Sequence, residues 1–502
     1  MNSQDLMKLQ NGSDVRGIAV EGVADEHVNL TCEACNKIGQ GFIKWLSEKT
    51  GKSANDLKIG VGRDSRVSGP ALEEAVIKGM VSTGASVVRC GLATTPSMFM
   101  SIVFEQTKFD GSIEITASHL PFNRNGLKFF DKDGGLEHDD ITSILEKASS
   151  VEEKDVDISK CESFDLLSIY AEHLKKAISE GIGASSEKPL AGLKIVVDSG
   201  NGASGFFVDK ILNPLGADTT GSQFLEPDGM FPNHIPNPEN KAAMESIKNA
   251  VLTNNADLGL IFDTDVDRMS AVLSDGSEVN RDAIIAMAAA ILAPENPGST
   301  IITDSVTSDR LTYFLEEVLG LKHLCYMRGY KNVINKQIEL NKKGINSPLA
   351  METSGHGALK ENYYLDDGAY LAVKLVVALA QAAKEGKKLD SLIEKLPPLV
   401  EEGEYRFKIL TEDFKSYGKN VLEEFRSRAK NAGYLLPESY EGVRISFKEG
   451  DAQGWMLLRL SLHDPVMPLN IEGARLGDVE KIKKIAKDLL AGFDKLDMNA
   501  LN

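Results

Sequence analysis

"DLKIGVGRDSR" at 56–66 carries the reading that decides the fold. A short β-rich run ends in Arg, Asp and Ser, and "SGPALEEAVIKGMVSTG" at 68–84 continues with helical spacing. Strand, polar turn, helix is the signature of a largely parallel sheet buried on both faces. The shape returns in "GLKIVVDSGNGASG" at 192–205 and "STIITDSVTSDR" at 299–310. Repeats more than 100 residues apart predict three related α/β domains and not a short-period solenoid. Ligands of such sheets bind beyond the carboxyl ends of the strands.

The last hundred residues read differently. "EGEYRFKILTEDF", "GVRISFKE" and "GWMLLRLSLHDP" are β-rich, and "DVEKIKKIAKDLLAGF" is an amphipathic helix. These predict a smaller α+β domain. The expected divisions are 1–163, 164–277, 278–396 and 397–502. No low-complexity linker separates them, so four pieces packed around a shared cleft are expected.

A chain of 502 residues exceeds one core, and 42% hydrophobic with 26% charged residues describes an ordinary globular protein. The net charge of −18 argues against nucleic acid and anionic membranes as partners. The apolar run "AIIAMAAAILA" at 283–293 is too short to span a bilayer, and the N-terminus has no signal-like apolar stretch. A cytoplasmic location is expected. Five cysteines suggest no disulfide framework, and the Cys32/Cys35 pair lies in a helically spaced segment.

Four stretches carry chemistry. "EITASHLPFNRNGLKFF" at 114–130 ends a strand, then sets Ser118 and His119 on a loop stiffened by Pro121, with Lys128 beyond an Asn-Gly turn. "ADLGLIFDTDVDRMSAVLSDG" at 256–276 runs an apolar strand into Asp263, Asp265 and Asp267. Three carboxylates at alternate positions repel one another unless a hard cation such as Mg²⁺ is shared among them. Arg268 and Ser274, standing where glycine and glutamate are required, exclude an EF-hand. "LAMETSGHGALKENYYLDDGAY" at 349–370 carries Glu352, Ser354 and His356; its alternation suits adjacent sugar hydroxyls and equally fits a surface loop. "WMLLRLSLHDPVMPLNIE" at 455–472 leaves a strand with Arg459, Ser461 and His463. That pattern suits a phosphate, though Arg459 alternatively lays its stem on the sheet. Together they are the parts of a sugar phosphoryl-transfer enzyme, in which positioning and charge stabilisation do most of the catalysis.

These stretches resemble the α-D-phosphohexomutase superfamily, in particular its phosphoglucomutase/phosphomannomutase branch. The likeness covers nearly the whole chain. The family's serine loop matches Thr116 to Pro121 and Asn125 to Lys128, and its Asp-x-Asp-x-Asp-Arg loop matches Asp263 to Arg268. Its sugar loop matches Glu352, Ser354, Gly355 and His356, while "GSDVRG", "VGRDSRVSG" and "EPDGMFPNHIPNPE" are further signatures. The resemblance implies three α/β domains with mainly parallel mixed sheets plus a C-terminal α+β domain around a central cleft. It implies a Mg²⁺-dependent interconversion of hexose 1-phosphate and 6-phosphate, of glucose or mannose. Ser118 would be the phosphoserine, glucose or mannose 1,6-bisphosphate the intermediate and activator, and Ser118 with Asp263, Asp265 and Asp267 the metal ligands. Arg16, Lys128 and Arg268 would line the reacting end, with Lys128 and His356 handling protons. Glu352, Ser354, Tyr330 and Lys331 would bind the sugar, and Arg459, Ser461 and His463 its distal phosphate. A monomer or weak homodimer is expected.

The chain departs from the family at "RLSLHDP", where His463 replaces a hydroxyl donor, at Tyr330, where many relatives have histidine, and at Leu120. His463 is expected to contact the phosphate. Phosphoglucosamine mutase is the nearest alternative, because its sugar loop shares the Glu-x-Ser-Gly-His pattern. "GLIFDTDVDR" also satisfies the DxDxV pattern of haloacid-dehalogenase phosphatases, with Asp263 as nucleophile, but that reading leaves Ser118 idle. A non-catalytic sugar-phosphate sensor would be expected to have lost the serine or a carboxylate, and both are present.

Overall fold

A computed structural model of the chain describes residues 3–183, 186–461 and 464–501. Two compact units make it up. The first comprises Met1–Asn280, Ser354–Ala358 and Leu365–Ser391; the second comprises Arg281–Thr353, Leu359–Tyr364 and Leu392–Asn502.

In the first unit the opening stretch becomes the strand Lys58–Arg63, with Ile59 and Val61 fully buried. It pairs in parallel with Ser86–Leu92 on one side and Gly111–Ile115 on the other. The helix Gly69–Val81 follows, with a proline in its first turn, where the missing N–H has no helical partner to lose. Arg124–Asp131 runs antiparallel to Gly111–Ile115, and Asp14–Ile18 antiparallel to Arg124–Asp131. This order brings the segment after Ile115 and the side chain of Lys128 to neighbouring strands.

The helix Cys32–Thr50 starts at Thr31, whose hydroxyl accepts from Ala34 N at 3.1 Å, and ends at Gly51 with φ 72°. Its Phe42 ring lies 5.2 Å from Phe129, and each such burial contributes about 2–3 kcal/mol. Cys32 and Cys35 are positions on this helix. Burial, then Cys32, pushes the Cys35 thiol far up, which leaves it inert.

A second sheet in this unit pairs Ile195–Asp198 in parallel with Leu258–Phe262, which runs antiparallel to Met269–Leu273. Every residue of Leu258–Phe262 is buried. Gly259 lets the helix Lys241–Asn254 approach; a Cβ there would lie 2.4 Å from Val251 Cγ2.

In the second unit Thr300–Thr303 pairs in parallel with Lys322–Cys325 and Leu349–Met351. The apolar run near 283–293 forms the buried helix Asp282–Leu292. Among the described residues no helix is long and apolar enough to cross a membrane. The C-terminal part is an antiparallel sheet in the order Val443–Phe447, Gly454–Leu458, Val466–Gly473, Glu401–Ile409, Leu496–Asp497. The helices Phe414–Asn431 and Asp478–Leu489 accompany it, and Phe407, Phe425, Ile445 and Ile482 form its core. Mixed α/β sheets followed by an antiparallel α+β part match the expected fold class.

Candidate active site

Strand Gly111–Ile115 delivers its chain end directly into Ser118, which takes a left-handed backbone with φ 50°. That conformation costs a residue with a side chain about 1 kcal/mol or more and persists only where neighbours enforce it. Ser118 N donates to Thr116 Oγ1 at 2.8 Å. The larger constraint is Arg66, which is fully buried. Its Nη1 donates to the carbonyls of Pro121 at 2.7 Å and Arg124 at 3.0 Å, and its Nη2 to those of Leu120 at 2.6 Å and Ser118. Its Nε donates to Asp64 Oδ2 at 3.2 Å, and Asp64 accepts from Thr116 Oγ1 at 2.7 Å. One guanidinium therefore satisfies four loop carbonyls. In sequence "VGRDSRVSG" stands only as a family signature; a charged Asp-x-Arg at the end of a buried strand is the signal for its structural role.

The serine side chain is gripped from the second sheet of the same unit. Ser118 Oγ donates to Asp263 Oδ2 at 2.9 Å and accepts from Arg268 Nη2 at 2.9 Å. Arg268 also donates from its backbone N to Asp263 Oδ1 at 3.2 Å and from Nε to Asp263 Oδ2 at 3.0 Å. Its Nη2 further donates to His119 Nδ1, which must then be unprotonated. Burial, then Arg268, lowers the His119 pKa to about 3, so the ring is neutral.

Asp263, Asp265 and Asp267 are all buried, with one oxygen from each within 4.8 Å of the others. Val266, at φ 65°, turns the chain between the second and third. Among the described residues Asp265 Oδ1 is buried without a hydrogen-bond partner, and so is Asp267 Oδ1, although His356 Nε2 lies 3.4 Å from it. Three converging carboxylates, two of which carry an unsatisfied buried oxygen, fit a divalent cation such as Mg²⁺. Burial, then Asp267 and Asp265, pushes the Asp263 carboxyl well above its usual range. Burial acts the same way on Asp267 and Asp265, but Lys128 reverses it and leaves Asp267 well below its usual value and Asp265 below its own.

Lys128 Nζ donates to Asp265 Oδ2 at 2.9 Å and to Asp267 Oδ2. Burial lowers its pKa, but the two carboxylates raise it well above the usual value, so in this arrangement it is a cation. Thr95 Oγ1, at the start of the helix Thr95–Val103, donates to Asp265 Oδ2 at 2.6 Å. Arg16 Nη1 donates to Thr116 O, and its Nη2 to Asp14 Oδ2 at 2.8 Å. His356 pairs backbone with Arg268 and lies 3.0 Å, by Nδ1, from Ser354 Oγ; burial lowers its pKa. Ser118, Arg16, Lys128, Arg268, Ser354, His356 and the three Asp thus all belong to the first unit.

Glu352, Tyr330, Lys331, Arg459 and Ser461 belong to the second unit. Glu352 Oε1 accepts from Gly329 N at 2.6 Å, immediately before the helix Tyr330–Lys342. Arg459 is buried, and its Nη1 donates to Glu441 Oε1 at 3.4 Å. Its buried Nε has no hydrogen-bond partner among the described residues. Ser461 Oγ accepts from Asp464 N at 3.2 Å. Glu441, which also accepts from Arg328 N at 3.1 Å, was not singled out in the sequence. His463 lies outside the described residues.

Comparison with known proteins gives a consistent set of matches. Residues 7–155, 168–276 and 280–400 match the models of phosphoglucomutase/phosphomannomutase alpha/beta/alpha domains I, II and III. A phosphomannomutase/phosphoglucomutase of Pseudomonas putida is 30% identical over 452 residues, covering 89% of this chain and 90% of that protein. A phosphoglucosamine mutase of Lactobacillus acidophilus is 30% identical over 393 residues, covering 78% and 81%. The crystal structure of a phosphoglucomutase/phosphomannomutase family protein from Burkholderia thailandensis superposes with a TM-score of 0.77 at 26% identity, covering 98% and 99% of the two chains.

Proposed function

The chain belongs to the phosphoglucomutase/phosphomannomutase family, and from that premise we propose how its own residues interconvert hexose 1-phosphate and hexose 6-phosphate. It is a mutase, an intramolecular phosphotransferase. The observation that carries the residue assignment is Ser118 Oγ held between Asp263 and Arg268 beside three carboxylates. Ser118 is the phosphoryl carrier. As phosphoserine it donates to a substrate hydroxyl, and the resulting glucose or mannose 1,6-bisphosphate returns its other phosphate to the same oxygen. Asp263, Asp265 and Asp267, with a phosphoserine oxygen, would hold Mg²⁺, which when bound would supply positive charge against the negative charge of the transferring group.

Arg268 orients the seryl oxygen and, with Arg16, attracts the transferring group. Lys128, a cation, donates; His356 accepts or returns the proton of the attacking hydroxyl. Glu352 and Ser354 take hydroxyls common to glucose and mannose, with Tyr330 and Lys331 beside the sugar. Arg459, Ser461 and His463 take the distal phosphate. The four divisions 1–163, 164–277, 278–396 and 397–502 would each contribute one of the loops. Because its anionic substrates do not cross membranes unaided, the enzyme is assigned to the cytoplasm.

The reading is tested by incubating the chain with labelled glucose 1,6-bisphosphate and mapping the label. Phosphate on Ser118, together with a loss of about 10⁴-fold or more in kcat for Ser118→Ala, is expected. Label on Asp263 with an active Ser118→Ala variant would instead favour phosphatase-type chemistry. A chelator is expected to stop turnover and added Mg²⁺ to restore it.

A further inference from the structure

Glu114 is a buried ionisable group for which the mechanism above has no use. It lies on the strand Gly111–Ile115, is fully buried, and neither carboxyl oxygen has a hydrogen-bond partner among the described residues. The fold makes room for it. A Cβ on Gly62 would meet Ala93 Cβ and Met98 Sδ at 2.6 Å and Glu114 Oε2 at 2.9 Å, so the carboxyl shares with two apolar side chains the space the glycine leaves. Burial, then Asp64 and Asp265, holds the carboxyl well above its usual pKa. An acid kept in such a place without a partner calls for a reason.

Directly opposite Glu114 across the antiparallel ladder stands Lys128. Residues so paired share one face of the sheet, with Cβ atoms about 5 Å apart, well within a lysine's reach. Lys128 Nζ instead sits on Asp265 and Asp267. Those carboxylates belong to the group assigned to Mg²⁺, so ammonium and metal compete for the same oxygens. Lys128 is buried, and a displaced ammonium there is costly unless another anion receives it. Asp14, also close enough to act on Lys128, is already paired with Arg16.

We propose that Glu114 is the second berth of Lys128, giving up its own proton to solvent and receiving the ammonium as a carboxylate when a divalent cation takes over Asp265 and Asp267. Glu114 is then a positioning residue that sets metal affinity through Lys128 and delivers Lys128 to its working place. This rests on the metal reading of the three carboxylates.

The test is Mg²⁺ binding by titration calorimetry on the full chain, free of phosphate on Ser118. Glu114→Gln is expected to weaken binding by about tenfold, and Glu114→Met, of different polarity, by a similar factor. Lys128→Met is expected to bind Mg²⁺ more tightly than the unaltered chain, and adding Glu114→Gln to it is expected to change nothing further. A Glu114→Gln chain with unaltered affinity overturns the proposal and leaves the metal reading standing. So does an equal loss with and without Lys128, which would mark a merely structural role. An unaltered chain that takes up no Mg²⁺ overturns both.

Discussion

The serine loop of the first unit and the Arg459 loop of the second treat their charges in opposite ways. Around Ser118, each cation has partners within its own unit: Arg66 holds four carbonyls and Asp64, Arg268 holds Asp263 and Ser118, and Lys128 holds Asp265 and Asp267. Among the described residues the Arg459 side chain has one hydrogen bond, at 3.4 Å to Glu441, and a buried Nε with no partner. The first region is preorganised, so the direction of the seryl oxygen is fixed before any substrate arrives. The second keeps a donor without a partner among the described residues, as would suit the phosphate-holding role proposed for it. Preorganisation is therefore concentrated around Ser118, the oxygen proposed to carry the phosphoryl group.

The sharpest way to break this contrast is Arg66→Met. Four carbonyls and Asp64 lose their partner in a buried place, which is expected to cost about 4 kcal/mol or more of stability. The freed loop is expected to lower kcat by about 100-fold, since small misplacements of a reacting group cost that much. Denaturant unfolding and initial rates read the two effects; near-normal values for both would show that the loop holds itself.

Arg459→Met probes the other side. With little internal bonding to lose, the variant is expected to stay within about 1 kcal/mol of the parent in stability. Its KM for the sugar phosphate is expected to rise by about 10- to 100-fold, with kcat changed less, because a distal phosphate is held alike in ground and transition states. A large fall in kcat at unchanged KM would move Arg459 into the reacting end.

The smallest effect concerns Glu472 on the strand Val466–Gly473. Burial, then Asp282, raises its pKa to about 7, against the pull of Arg310. Its folded pKa exceeds the ordinary value of 4.5, so the folded state binds more protons between the two values. Stability is then greatest below about pH 4.5 and is lost as pH rises through about 7, by an amount on the order of 2 kcal/mol. Glu472→Gln is expected to raise the melting temperature at pH 8 and leave it unchanged near pH 4.5. Equal shifts at both values would mean that the acid is already well paired.

Much of this was legible in the chain. A short apolar strand running straight into three closely spaced aspartates declares a carboxylate cluster at a strand end, because that spacing is local, whereas the turn at Val266 that makes them converge is not written in the alternation. The same holds for Thr116 to Ser118 after Ile115, and for the strands that begin each α/β segment. The contacts that bind the site together were not legible. Arg66 reaches the serine loop across 52 residues, Lys128 reaches Asp265 across 137, and Ser118 reaches Asp263 across 145. Nothing in the local period of "GRDSR" says that its arginine will lie under four carbonyls; that depends on Lys58–Arg63 being the neighbour of Gly111–Ile115. The facing of Glu114 and Lys128 likewise waits on the antiparallel register of two strands. Sequence alone determined which residues are the candidates for the chemistry and which strand ends present them, since these follow from short-range geometry. The tertiary structure alone decided which charges neutralise one another, since strand order and register are set by burial summed over the whole sheet.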